Sequence, residues 1–473
     1  VDNESFRQAG HQLIDWIADF RQSVPDRPVL AQVKPGEVNA NMPAMPDAPQ
    51  SMQSLLQALD EVVVPGVTQV QHPMHYGWFP SNASLASVLG DIACSGMGTL
   101  GISWESCPAL TEVEEVTCDW MRQLTGLSEE WQGTIHDTAS TACLVGILLA
   151  RERASALCKN AGGLQALESP LRVYTTEQAH SSVAKAVQVA GIGDSNLVMV
   201  DVDPVTHAMN PQALADCIRK DKAAGYVPAC VVACVGSTAV TAFDPLEAIA
   251  DICEPENIWL HVDAAMAGSA MLLPECRHLW QGVERSDSMS WNPHKWLGTI
   301  LDCSLFYVRD TEHLQQVLST NPSYLRGSTD GQVTQYRDWG VPLGRRFRAM
   351  KLWFHLALDG PDALRARLRR DLENARWLAD QVEAHPDWEM LTPLTLQTLA
   401  IRHNPGGKLS GDALDKHTLR WVGEINESGA AFMSPSVLDG LWMVRVSVGV
   451  ESTEREHLEK LWALLQQHAE SSV

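Results

Sequence analysis

A chain of 473 residues is too long for one small core and suits two or three packed units. Its 45% hydrophobic and 20% charged residues are ordinary for a globular protein, and no apolar run reaches the roughly 18 residues that span a bilayer. The formal charge of −23 argues against nucleic acid and anionic membrane surfaces, both of which call for clustered Lys and Arg.

The first twenty residues lack the basic start and apolar block of a secretory leader. They read as an amphipathic helix with Phe6, Leu13, Trp16, Ile17 and Phe20 on one side. A Pro-rich stretch from Val24 to Pro49 follows, then a second helix over about Ser51 to Val63. An apolar helix tied on by an extended linker is expected to pack against a partner subunit. Eleven cysteines without paired CxxC motifs suggest free thiols in a reducing compartment, which points to the cytoplasm. Cys230 and Cys234 lie in a strand-like run and read as core rather than metal ligands, and no metal site is expected.

From about Leu171 short β-branched runs alternate with helices: LRVYTT, NLVMVDVD, ACVVACVGST, IWLHVDAA, SMSW and CSLFYVRD. That alternation predicts an α/β fold with a largely parallel sheet covered on both faces, whose ligands sit beyond the carboxyl ends of the strands. Residues 319–343 carry glycines and little periodicity and read as a lid loop. A long helix RRFRAMKLWFHLAL comes next. Then follow a helix over Leu364 to Ala384, short strands such as TLAIRH and WMVRVSVG, and a terminal helix, the makings of a small α+β domain. The expected division is 1–80 as an N-terminal helical, dimerising segment, 81–363 as the large domain, and 364–473 as the small one.

Several polar residues fall at the predicted strand ends. Lys295, in Asn292-Pro293-His294-Lys295-Trp296, is flanked by apolar and aromatic neighbours, where a buried ammonium is costly. It reads either as a snorkelling surface lysine or as one that forms a Schiff base with an aldehyde cofactor, which removes the charge problem. Asp263 closes IWLHVD and needs a cationic partner: an arginine, or the protonated pyridine nitrogen of pyridoxal 5′-phosphate (PLP). It also reads as a helix cap. Asp137-Thr138-Ala139-Ser140-Thr141 opens a helix and offers hydroxyls and backbone N–H groups to a phosphate, or is a plain N-cap. Thr238 closes ACVVACVGST, and Ser288 and Asn292 flank the lysine turn. His180 follows LRVYTT and is either a capped structural residue or an imidazole lying on the cofactor ring. Jointly, these residues map to one edge of one sheet, as a PLP-binding domain requires.

The chain resembles the group II PLP decarboxylases, most closely the aromatic-L-amino-acid (DOPA/tryptophan) decarboxylases. The likeness runs over nearly its whole length, in GHQLIDWIADF, HPMHYGWFPSNAS, GISWESCPALTEVE, TEQAHSSVAKA, WLHVDAAMAGSAMLLPECRH, SDSMSWNPHKWLG, NPSYLRG, RDWGVPLGRRFRAMKLWF and WMVRVSVG. The resemblance implies PLP fold type I with a seven-stranded sheet, and a homodimer with two active sites at the subunit interface. It makes Lys295 the Schiff-base lysine, Asp263 the partner of the pyridine nitrogen and His180 the stacking imidazole. It places Ala139, Ser140, Ser288, Asn292 and His294 around the phosphate, with Thr238 near the ring. Tyr324 matches the lid tyrosine that favours decarboxylation over oxidative deamination. The substrate pocket it implies uses Tyr76, Trp78, Phe79, Pro80, Ser81, Leu100 and Ile102.

Trp78 and Ile102 depart from the Tyr and Phe usual near the animal enzymes. Gly344 matches the small residue associated with indole acceptance in plant relatives, but animal relatives with this glycine also take DOPA. The expected activity is decarboxylation of L-DOPA, tryptophan, 5-hydroxytryptophan or tyrosine to the amine and CO2. The alternative is an aldehyde synthase, which couples decarboxylation to oxidative deamination. An aminotransferase, with Arg445 as carboxylate clamp, and a silent binding protein fit the motifs less well.

Overall fold

The computed structural model describes residues 1–320 and 331–470. Among these, two compact units form. One gathers Val1–Pro80, Asn374–Leu391 and the chain from Leu399 on; the other holds Ser81–Glu373 with Thr392–Thr398. Segments read as separate in the sequence, 1–80 and 364–473, thus contribute to one unit. Backbone pairing is part of the reason: Val29 donates to Gly429 O at 2.9 Å and Tyr76 to Phe432 O at 2.8 Å, and Ser447 donates to Tyr76 O at 2.9 Å.

The larger unit is built on seven strands: β1 (Gln132–His136), β2 (Leu171–Thr175), β3 (Leu197–Met199), β4 (Val227–Cys234), β5 (Trp259–Asp263), β6 (Ser288–Trp291) and β7 (Ser304–Val308). Their order is β1-β7-β6-β5-β4-β2-β3. β7 is antiparallel to both β1 and β6, and the other neighbours are parallel, so six strands share one direction. This is the mostly parallel α/β sheet of PLP fold type I that the motifs predict.

The helix Ala139–Ala154 is apolar on nearly every side and is therefore buried in the core. Ala142, Cys143, Val145, Ile147 and Leu149 pack with Val173, Cys230, Val232, Trp259 and Phe306. Each fully buried Leu, Ile or Phe contributes about 1.5–3 kcal/mol. Gly146 lets the helix close on the sheet, since a Cβ there would lie 2.8 Å from His261 Nδ1. Cys230 is fully buried in this core, and all eleven cysteines are free thiols.

Two sequence expectations are redrawn. The helix expected from Arg345 starts only at Ala349; Arg345 instead forms an antiparallel bridge with Gly101, its N–H donating to Gly101 O at 2.7 Å. Of the loop 319–343, the stretch Tyr336–Trp339 is anchored: Tyr336 is buried and donates its hydroxyl to Gly133 O at 3.1 Å.

The smaller unit's sheet comprises β8 (Trp388–Met390), β9 (Thr398–His403), β10 (Ser434–Leu438) and β11 (Leu441–Ser447), in the order β10-β11-β9-β8. No described helix is long and apolar enough to cross a membrane.

Candidate active site

Because six strands run one way, their carboxyl ends line one edge, and the chemistry-bearing residues collect there. Asp263 is the last residue of β5, lying between Cys234 of β4 and Ser290 of β6. Its side chain is buried, and Oδ1 accepts the Ala265 N–H at 3.0 Å. After β6 comes Asn292, then the tight turn Pro293–Leu297, in which Lys295 leaves helical geometry at φ −101°, ψ −114°. Lys295 N–H donates to Asn292 O at 3.0 Å, while its side chain is part-exposed.

His180 lies five residues beyond β2 and keeps a solvent-open face. Its pKa is lowered, first by partial burial and then by the positive Lys295, with Asp263 acting in the opposite direction. His180 after β2, Asp263 at the end of β5 and Lys295 after β6 all lie at the carboxyl edge of the sheet. Ser182 N–H donates to His180 Nδ1 at 3.1 Å, so the neutral ring carries its proton on Nε2. His294 is fixed likewise: Nδ1 accepts the Cys303 N–H at 2.9 Å, and its pKa falls to about 4 through burial and then Lys295.

β1 ends at the same edge and feeds the helix Ala139–Ala154. Thr138 caps that helix in extended geometry without a side-chain bond, leaving the N–H groups of its first turn, at Ala139 and Ser140, without a side-chain cap. Thr238 sits part-buried in the turn after β4. Gly236 permits that turn at φ +83°, and a Cβ there would lie 2.4 Å from Ala267 Cβ.

Ser288 is a correction. It begins β6, at the opposite end from the other residues, and is fully buried. Its Oγ accepts the Trp259 indole N–H at 2.9 Å and bonds His261 Nδ1 at 2.8 Å. It is a core residue, and a strand read without its length gives no hint of which end a serine occupies. Ser288→Ala is expected to lower stability by about 1–3 kcal/mol through lost buried hydrogen bonds while leaving cofactor affinity unchanged. Chemical denaturation alongside a PLP titration measures both.

The residues assigned to the substrate separate into two groups. In the smaller unit Tyr76 is fully buried, its hydroxyl 3.8 Å from Met74 Sδ, and Pro80 is buried as well. Tyr76 thus offers no surface within the chain, whereas Pro80 is buried as the cofactor candidates Asp263, Asn292 and His294 are. Trp78 is 53% exposed and adopts φ +50°, a left-handed conformation costly for an indole-bearing residue. Its N–H donates to Ser434 Oγ at 2.6 Å, and its ring lies 4.9 Å from that of Phe432. Phe79 lies beneath Arg445, whose guanidinium is 4.8 Å from the ring centroid. Arg445 is buried, and that burial lowers its pKa to about 10.

In the larger unit Leu100 is exposed, Ile102 part-exposed and Ser81 part-buried. The Gly101–Arg345 bridge brings Leu100 and Ile102 alongside Gly344, where an added Cβ would meet open space. Sequence reasoning missed what secures this strap. Arg345 pairs at 2.6 Å with fully buried Glu114, which also accepts from Thr134 Oγ1 and Ile135 N–H at 2.9 and 2.8 Å. Only folding brings together partners more than 200 residues apart. Tyr324 lies outside the described residues.

The edge fits a PLP-sized anionic cofactor. Buried Asn292 Oδ1 finds no partner among the described residues, a buried carboxylate, an amine and an imidazole lie at or after strand ends on one sheet edge, and a helix start is open to a phosphate.

A model described as the pyridoxal-dependent decarboxylase conserved domain matches residues 35–403. The chain belongs to the pyridoxal-dependent decarboxylase family, enzymes that use the pyridoxal cofactor. Among its relatives, phenylacetaldehyde synthase of Arabidopsis thaliana is 37% identical across 99% of this chain and 96% of that protein. Tryptophan decarboxylase 2 of Oryza sativa subsp. japonica is also 37% identical, across 99% of this chain and 95% of that protein. The crystal structure of Oryza sativa TDC with PLP and tryptamine superposes with a TM-score of 0.95 at 34% identity, covering 100% of this chain and 99% of that one.

Proposed function

We propose that this chain is an aromatic-L-amino-acid decarboxylase that converts an amino acid of the tryptophan, tyrosine or DOPA class, 5-hydroxytryptophan included, to its amine and CO2. The observation that carries the reading is the meeting of Asp263, Lys295 and His180 at one sheet edge, in a family member 37% identical to a tryptophan decarboxylase. PLP, when bound, supplies a ring that accepts the electron pair released as the Cα–carboxylate bond breaks.

The protein's own groups do the rest. Asp263 would hold a proton on the pyridine nitrogen of a bound cofactor by its charge. Lys295 Nζ would hold the cofactor aldehyde and, as a free amine, would carry protons within the site. The first-turn N–H groups at Ala139 and Ser140, with Asn292 and His294 Nε2–H, take the phosphate, and Thr238 borders the ring. His180 presents an Nε2–H donor to the carboxylate that leaves. Leu100, Ile102 and Gly344 contact the aromatic ring of the substrate. One proton is consumed at Cα and one CO2 released, with no net oxidation.

A second reading has a specific observation behind it, the equally similar phenylacetaldehyde synthase. In that reaction dioxygen and water enter, and aldehyde, ammonia and peroxide leave with CO2. Tyr324, kept in NPSYLRG, supports the amine outcome: a phenol that delivers a proton to Cα forestalls dioxygen. Tyr324→Phe removes only that proton, so CO2 release should persist while amine gives way to aldehyde with oxygen consumed. An oxygen electrode with product chromatography reads this. Wild-type enzyme that consumes oxygen and makes aldehyde from the outset would establish the second reading instead.

The working form is proposed to be a cytoplasmic homodimer. The helix Asn3–Ser23 buries no residue within the chain, and Leu85, Leu89 and Ile92 stand exposed along the helix Leu85–Met97. Unburied apolar faces of this kind suit a partner. Light scattering of active enzyme should give twice the mass of one chain, and a single-chain mass at full activity would rule the dimer out.

A further inference from the structure

The turn that carries Lys295 is held from behind by the helix Pro361–Ala384. Fully buried Trp296 donates its indole N–H to Asp371 Oδ2 at 2.9 Å, and Asp371 is fully buried too. One turn earlier on that helix, Arg367 donates to Trp296 O at 2.8 Å and to the Leu297 carbonyl. Gly298 follows at φ +103°, and a Cβ there would come 3.3 Å from Arg367 Nη2. On the other flank, His294 Nδ1 is tied to Cys303 N–H at 2.9 Å. Both neighbours of Lys295 are therefore fixed by side-chain bonds.

A buried carboxylate is an expensive way to gain stability, because apolar packing serves as well or better. Burial pushes the Asp371 carboxyl up, and Arg367, the Trp296 indole and Arg370 oppose that rise. What the charged acceptor adds is direction: it pins the indole, and with it the backbone from which the Lys295 side chain departs.

We propose that Asp371 and Arg367 are positioning residues for Lys295, acting through the indole and carbonyl of Trp296 to aim the amine at its cofactor. The proposal rests on Lys295 being the cofactor lysine. It concerns capture of PLP by cofactor-free protein, followed by the rise of the visible band of lysine-bound PLP, with borohydride trapping and peptide mapping to locate the lysine.

Asp371→Leu and Trp296→Phe should each slow capture at Lys295 about tenfold or more, the worth of one buried hydrogen bond to a charged group. Asp371→Asn keeps an acceptor for the indole and should stay within about threefold of wild type. Trp296→Phe with Asp371→Leu separates positioning from mere support. Removing both polar partners should return the thermal midpoint part of the way toward wild type, because the Trp296 indole donor is no longer stranded and only the Arg370 contact to Asp371 at 3.4 Å stays lost, while capture stays slow. Capture at the wild-type rate in the double variant, or in either folded single variant, would overturn the proposal alone. Trapping in wild type at a lysine other than Lys295 would overturn the functional reading and this inference with it.

Discussion

Lys295→Ala should fold, retain weak affinity for PLP and lose amine production by on the order of 10³–10⁴-fold, the span of positioned proton transfer by a side chain. The turn around Lys295 is fixed by bonds that do not involve its side chain: its own N–H to Asn292 O, His294 to Cys303, and Trp296 to Asp371. Removing Nζ leaves those bonds of the turn in place. The expected pattern is an unchanged thermal midpoint, no borohydride-trapped cofactor at this position and a collapse of kcat. Adding back a small primary amine should restore part of the rate, since the cavity left by the side chain opens where the amine is needed. Amine production near the wild-type rate would remove Lys295 from its assigned role.

Asp263→Asn should keep the fold and cost kcat on the order of 10²–10³-fold, as loss of a preorganised electrostatic partner does. The substitution is close to isosteric and retains an oxygen for the Ala265 N–H, so the local turn survives. What disappears is the negative charge that holds a proton on the pyridine nitrogen. His180 supplies an independent readout. In the wild type Lys295 lowers its pKa and Asp263 counteracts that, so removing the Asp263 charge should lower the His180 pKa further. Titration of the His180 ring by NMR in cofactor-free protein tests the geometry apart from turnover. An unchanged titration would mean that Asp263 and His180 do not share a site.

Much of the site is local and could be read from short strings. Asp263, Asn292, His294, Lys295 and the Ala139–Ser140 helix start each lie at or just after a strand end, so strand periodicity followed by a polar residue marks them. The largely parallel α/β sheet follows from the same alternation, which marks β2 to β7, since β-branched runs between helices tend to pair in parallel and bury both faces; the count of seven came from the resemblance. Direction was not legible for β7: an antiparallel strand between two parallel neighbours has the same apolar composition as they do. Ser288 shows the limit of adjacency, because four residues from Asn292 was enough to carry it to the far end of β6 and into the core.

Tertiary structure alone decided which polar residues support the site. The partners of Trp296 and Arg345 lie 75 and 231 residues away in the chain, at Asp371 and Glu114, and each carboxylate sits in a helix whose pattern reads as ordinary amphipathic surface. It likewise buried Tyr76 and Pro80 while leaving Trp78, between them, exposed at a left-handed φ. Local sequence carries the periodicity that makes strands and helices, and so determined where chemistry could sit. Burial and hydrogen-bond satisfaction depend on what a distant segment brings, and only the folded chain settled those.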